Sequence, residues 1–116
     1  MAMILRVNEI NVQKQEKPRG GRGFMESFPY KSVEGIAGEI KMFSVINLQK
    51  DSKVGYHKHE NDNEIYLMLD GSGVISDNGK EDILNPGDMI VTLKGESHSI
   101  ENKSETNIVF LAIIIE

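Results

Sequence analysis

The chain has 116 residues, 39% of them apolar, 27% charged and 6% aromatic, which is the size and make-up of one ordinary globular domain and too little for a second. Its 13 Lys and Arg stand against 18 Asp and Glu, a formal net charge of -5, so no global positive field gathers phosphate backbones and general nucleic-acid binding is excluded. The lack of cysteine removes disulfides, thiolate nucleophiles, zinc–thiolate clusters and iron–sulfur ligation.

In chain order, the opening MILRVNEINV partly alternates in polarity and predicts a short strand at a sheet edge. It has no basic start followed by a sustained apolar stretch and a small-residue cleavage site, so a cytoplasmic location is the expectation. Residues 13–38 are rich in Gly, Pro, Lys and Arg without a sustained period, which reads as a surface arm or loop with little regular structure. The chain therefore divides into an arm over 1–38 and a barrel over 39–116, both within one domain.

From Glu39 onward, short apolar segments recur between turn residues at a spacing of about eight to twelve positions, as in all-β sandwiches and barrels. The predicted strands are Ile40–Leu48, Lys53–Lys58, Glu64–Leu69, Gly73–Asp77, Lys80–Leu84, Asp88–Leu93, His98–Glu101 and Ile108–Ile115. Asn78-Gly79 marks a type I′ hairpin, since both residues tolerate positive φ, and Asn85-Pro86-Gly87-Asp88 marks a second turn. The longest apolar run, IVFLAIII at the last strand, falls far short of the ~20 residues that cross a bilayer, so no membrane partner is expected. With this many strands and no helix long enough to cover an open sheet, the sheet closes on itself or folds into two layers, a small jelly roll or barrel.

Three histidines carry the chemistry. His57 and His59, two apart on a strand, project to one face about 7 Å apart along the backbone. The polar stretch from Glu60 to Asn63 is of turn length and returns the chain so that Glu64 faces the same space. His98 follows the strand DMIVTLK, where a barrel can bring it opposite the first pair. Three imidazoles and a carboxylate suit Mn, Fe, Co, Ni or Zn and leave coordination positions for water or substrate.

These residues stand in a longer frame that resembles the cupin family. Its first motif is His-x-His, three or four residues, Glu, six residues, Gly; this chain has His57-Lys58-His59, four residues, Glu64, six residues, Gly71. Its second is Gly, five residues, Pro-x-Gly, two residues, His, three residues, Asn; this chain has Gly87, five residues, Leu93-Lys94-Gly95, two residues, His98, three residues, Asn102. Two backbone positions depart: the glycine ahead of the first histidine is displaced to Gly55, and Leu93 replaces the proline. The resemblance implies a double-stranded β-helix barrel holding one divalent transition metal on His57, His59, Glu64 and His98. The stretches Gly95–Asn102 and Phe110–Ile114 further resemble short cupins described as oxalate-decarboxylase-like, although no segment matches the mobile acidic lid of the two-domain decarboxylases.

Groups able to act beside the metal are few, and no catalytic residue is assigned. All arginines, Arg6, Arg19 and Arg22, lie in the arm; Arg22 is the one read as a substrate binder if the arm folds back over the barrel mouth, and otherwise as part of a solvated arm or a segment exchanged with a partner subunit. Tyr66 and Met68 share the parity of Glu64 and face the interior, lining a pocket rimmed by Phe43, Met42 or Phe110, or simply filling the core. Tyr56 and Lys58 flank His57 and point the other way. Asp88 and Asn102 read as turn-closing residues, and Glu96 as a loop acid. Two functions stay open: a metal-dependent enzyme acting on a small carboxylate or other oxygen-rich molecule by decarboxylation, oxygenation or isomerisation, and a non-enzymatic ligand-binding or sensor module. Under either, the apolar last strand and the arm favour a homodimer.

Overall fold

A computed structural model describes residues 3–36 and 39–116. Ten strands form two antiparallel sheets: β1 (Gln13–Glu16), β2 (Phe24–Pro29), β3 (Ile40–Leu48), β4 (Lys53–Lys58), β5 (Asn63–Asp70), β6 (Gly73–Asp77), β7 (Lys80–Leu84), β8 (Met89–Thr92), β9 (Ser97–Glu101) and β10 (Ile108–Ile115), with one short helix α1 (Lys31–Ile36). The six-stranded sheet runs β1-β2-β3-β10-β5-β8 and the four-stranded one β4-β9-β6-β7. This is the jelly-roll barrel expected of an all-β chain that must bury one face of every strand.

Each predicted barrel strand is present, within a residue or so at its ends, because alternation selects the face that goes inward. In β10, Ile108, Phe110 and Ala112 are buried while Val109, Leu111 and Ile113 are less so. Phe110, Leu48, Met68, Ile100 and Ile108 are fully enclosed between the sheets and form the centre of the core. Asn78 and Gly79, at φ 51° and 91°, make the β6–β7 turn with the paired positive φ that a type I′ hairpin needs. Asn102, fully buried, donates from Nδ2 to the carbonyls of Leu48, Gln49 and Thr106, and so staples the β9–β10 loop to the end of β3.

The arm corrects two expectations. The opening segment is not a strand: it makes a short 3-10 helix over Val7–Glu9, and Met3, Ile4 and Val7 stay exposed. Among the described residues it pairs with no strand, although β1, β8, β4 and β7 each leave a sheet edge open. Strand formation falls instead on Gln13–Glu16, which has no apolar residue and is exposed throughout, because it pairs with β2, Gln13 opposite Ser27 and Glu16 opposite Phe24. The supposedly irregular stretch after it contains β2, paired with β3 through Met25↔Leu48 to Pro29↔Ser44, and α1. Backbone pairing to a strand already fixed by the core overrides a composition poor in strand formers. The expected boundary at Gly38 lies outside the described residues, but β1 and β2 extend the same sheet that contains β3 and β10.

Candidate metal centre

β4 would send the even-numbered side chains inward if it ran without interruption from Val54, which is buried. A β-bulge between Val54 and His57 resets the parity. Beyond the bulge, Tyr56 is exposed whereas His57 and His59 face inward, so a local irregularity aims both ligands. His98 on β9 is the cross-strand partner of His57. Glu64 on β5 enters from the other sheet, opposite Thr92 on β8.

The four side chains converge until one donor atom from each lies within 4.8 Å of all the others. Nε2 of His98 is 3.0 Å from Nε2 of His59 and 3.1 Å from Nε2 of His57. Oε1 of Glu64 is 2.9 Å from Nε2 of both His59 and His98. His59, Glu64 and His98 are all under 5% exposed.

Groups behind the imidazoles fix which nitrogen faces the centre. Nδ1 of His57 is 2.7 Å from the Gly55 carbonyl, and Nδ1 of His59 is 2.7 Å from Oδ1 of Asp62. Neither oxygen can donate, so each Nδ1 carries the proton and each Nε2 turns a lone pair inward. Nδ1 of His98 is 2.7 Å from the Thr92 hydroxyl. One proton on His98 Nε2 can satisfy only one of the two neighbouring lone pairs. Oε1 of Glu64, although close to two nitrogens, is buried without a hydrogen bond of acceptable geometry. A cation at the point of convergence satisfies every one of these acceptors at once, so the residues present fit a divalent metal.

Electrostatics agree. Burial pushes His57 down to about 4 against its hydrogen bond to Gly55, with the charges of His98 and Arg19 adding to the fall. Glu64 would be raised by burial, but the adjacent His59 and His98 hold it down at about 2. Glu64 beside His59 raises that imidazole against the opposing effect of burial, with Asp62 adding to the rise. A neutral His57 and an ionised Glu64 are the forms a metal ion takes.

The centre opens into a cavity of about 210 Å³. Its metal-side wall is His57, Glu64 and Tyr66, and Met25, Met42 and Ile46 form an apolar side. Tyr66 stacks on His98 with ring centroids 4.8 Å apart, and burial pushes its hydroxyl well above the ordinary range, so it remains a protonated donor. The arm and its helix close the opposite side with Gln13, Gln15, Arg19 and Lys31.

Of the residues expected to meet a substrate, Tyr66 lines this cavity. Met68 and Phe110 are enclosed in the core, where interior parity put them as filling. Phe43 lies on the outer face of its sheet, edge-on to Tyr30 at 5.9 Å. Arg22 is a correction: its Nε donates to the Asp51 carbonyl and its Nη2 pairs with Glu101, outside the barrel. The mouth instead takes Arg19, three residues earlier, on the turn at Pro18–Gly20, whereas Arg22 pairs along β4 with Lys53 and turns its side chain to Asp51 and Glu101. Sequence reading also missed Asp62 and Thr92 as orienting groups. Asp62 carries a faint signal, an acid in the turn between two ligands; Thr92 carries none, since its role depends on the β5–β8 register. Asp88 and Glu96 bond to local backbone or to Asn78, and Asn102 to its own loop and the end of β3; none takes part in the site.

The fold and this four-residue centre define a cupin. Residues 44–114 match the cupin domain family, and the chain belongs to it. A curated relative, an oxalate-binding protein of Thermotoga maritima, is 42% identical over 113 residues, covering 97% of this chain and 93% of that protein. A crystal structure described as a predicted oxalate decarboxylase from Thermotoga maritima superposes with a TM-score of 0.91 at 42% identity, covering 97% of this chain and 98% of that one. A cupin-superfamily sugar phosphate isomerase from Silicibacter pomeroyi superposes with a TM-score of 0.81 at 18% identity, over 98% of this chain and 76% of its own, a likeness of fold alone.

Proposed function

We propose that this protein binds a small carboxylate of the oxalate class at a single divalent transition metal held by His57, His59, Glu64 and His98. The observation that carries the reading is a four-donor centre whose open side faces a cavity of about 210 Å³. The 42% identical relative, named for oxalate binding, supports the ligand class. A divalent ion of the Mn, Fe, Co, Ni or Zn kind supplies, when bound, Lewis acidity and open positions for two ligand oxygens. The chain does the rest. Gly55 and Asp62 keep the Nε2 lone pairs aimed inward, Tyr66 keeps a protonated hydroxyl at the wall, and the β4 and β5 side chains shield the donors from bulk water.

Binding is favoured over turnover by one feature of the lining. Among the described residues at the cavity, Glu64 is the sole carboxylate, and it is a metal donor, which leaves no carboxylate free to move a proton. Oxalate titrated calorimetrically into metal-loaded and metal-stripped protein tests this. Saturable binding that needs the metal is expected. No binding to the loaded protein overturns the reading, and release of formate or carbon dioxide moves it to an enzyme.

The protein also pairs with a second copy through the outer face of the six-stranded sheet. Cross-strand registers align Val91, Ile65, Ile113 and Phe43 in one outward row and Met89, Leu67, Leu111 and Val45 in the next. Met89 and Val91 are about half exposed, at 52% and 51%, and a contiguous apolar face of this kind marks an interface. Sedimentation is expected to give a dimer, and Leu111→Lys a monomer that keeps its metal.

A further inference from the structure

Resting on the reading that the centre binds a carboxylate, we propose that Arg19 selects for a ligand with a second negative group, holding the end that the metal does not. Arg19 lines the cavity together with His57, Glu64 and Tyr66. No described residue offers its guanidinium an ion pair or hydrogen bond, in contrast to the other cation at the mouth, Lys31, which faces Glu34 at 3.7 Å. A planar guanidinium left open beside a metal cavity matches a carboxylate in two-point fashion, which an ammonium cannot do.

The backbone is built to hold it there. Lys17 and Arg19 are both left-handed, at φ 50° and 53°, a conformation that non-glycine residues keep only where the surroundings enforce it. The surroundings do so by backbone-on-backbone packing. A Cβ on Gly21 would lie 1.8 Å from the Lys53 carbonyl oxygen, and one on Gly55 would lie 2.2 Å from the carbonyl oxygen of Arg19 itself. Arg22 and Lys53 exchange both backbone hydrogen bonds, at 3.0 and 2.7 Å. Gly55 therefore serves two ends: its carbonyl fixes His57, and its bare Cα lets the Arg19 turn settle on β4. The Arg19 turn thus rests on the residue whose carbonyl also orients His57.

The size of the cavity agrees with a small dianion. An apolar cavity of about 150 Å³ takes a six-atom ring, so about 210 Å³ has room for a molecule the size of oxalate.

The test compares oxalate, a dianion, with oxamate, a monoanion of the same skeleton, in calorimetric titrations of metal-loaded wild type, Arg19→Gln and Arg19→Lys, with metal content and thermal unfolding measured on each. Arg19→Gln is expected to weaken oxalate roughly tenfold or more, to change oxamate far less and to leave metal stoichiometry intact; Arg19→Lys recovers part of the oxalate affinity. Unchanged oxalate affinity in Arg19→Gln overturns the proposal. So does a parallel loss of both ligands or of the metal, which makes Arg19 a structural part of the arm. If wild type binds neither ligand, the carboxylate reading itself fails, and that outcome is distinct from the others.

Discussion

The barrel and the arm build the two sides of one cavity by different physics. In the barrel, covering β3 to β10, the positions of His57, Glu64 and His98 follow from strand register and from a core of side chains such as Phe110 and Leu48 that are fully enclosed. In the arm, β1 is exposed throughout, and Arg19 is placed by left-handed backbone and glycine contacts rather than by burial of its own side chain. The difference assigns metal affinity to the barrel and ligand choice to the arm. Substitutions should separate the two.

The largest effect is expected from the barrel donors. His57→Ala together with His98→Ala removes two of four donors and leaves Glu64 buried beside a single imidazole, so metal content measured after dialysis against a weak chelator should fall from near one equivalent to near zero. An arm variant such as Arg19→Gln should stay near one equivalent. Equal loss in both would erase the distinction.

How much of this was legible in the sequence follows the same division. His57, His59, Glu64 and His98 stand at spacings that a period of two and a turn convert directly into shared faces, and the barrel strands announced themselves by alternation. The bulge between Val54 and His57 was not legible, yet it is what turns His57 and, just past β4, His59 inward; a displaced glycine was its only trace. Arg19 was passed over for Arg22 because both sit in a glycine-rich segment without period, and which of them meets the cavity depends on two left-handed residues and on a contact with β4 some thirty residues away. Strand β1 was missed for a related reason: QKQE has no side chain that prefers a sheet, and its pairing is dictated by its neighbour.

Next in size is the core. Phe110 is fully buried, against Tyr66 at 4.8 Å between ring centroids, and Tyr66 in turn stacks on His98. Phe110→Ala should cost about 3–5 kcal/mol in chemical unfolding and loosen the wall behind His98, so that metal affinity falls along with stability. A barrel residue far from the donor atoms would thus affect the metal, whereas an arm residue nearer the ligand would not.

A smaller effect is expected where the arm meets the barrel. Gly21→Ala places a methyl group against the Lys53 backbone, which cannot rotate away, so the turn lifts at a cost on the order of 1–3 kcal/mol. Metal content should hold while oxalate affinity drops as in Arg19→Gln. If the metal were lost too, Gly55 would be transmitting the displacement to His57, and the two sides of the cavity would not be independent.

The smallest effect belongs to the outer tether of the arm, the pair between Arg22 and Glu101. Arg22 holds the Glu101 carboxyl below its ordinary pKa of 4.5. A depressed folded-state pKa contributes stability that is present above the ordinary value and is lost as pH falls through the folded one. Arg22 is 57% exposed at its side chain, so solvent screening limits the contribution to at most about 1 kcal/mol. Glu101→Gln should therefore lower the midpoint of thermal unfolding slightly at neutral pH, and the gap to wild type should close as the pH falls below 4.5 and through the folded-state pKa of Glu101. Added salt should narrow the same gap at neutral pH. A difference that persisted unchanged at low pH and high salt would mean that the arm is fastened at this point by packing and backbone pairing with Lys53 rather than by charge, as it is at Gly21.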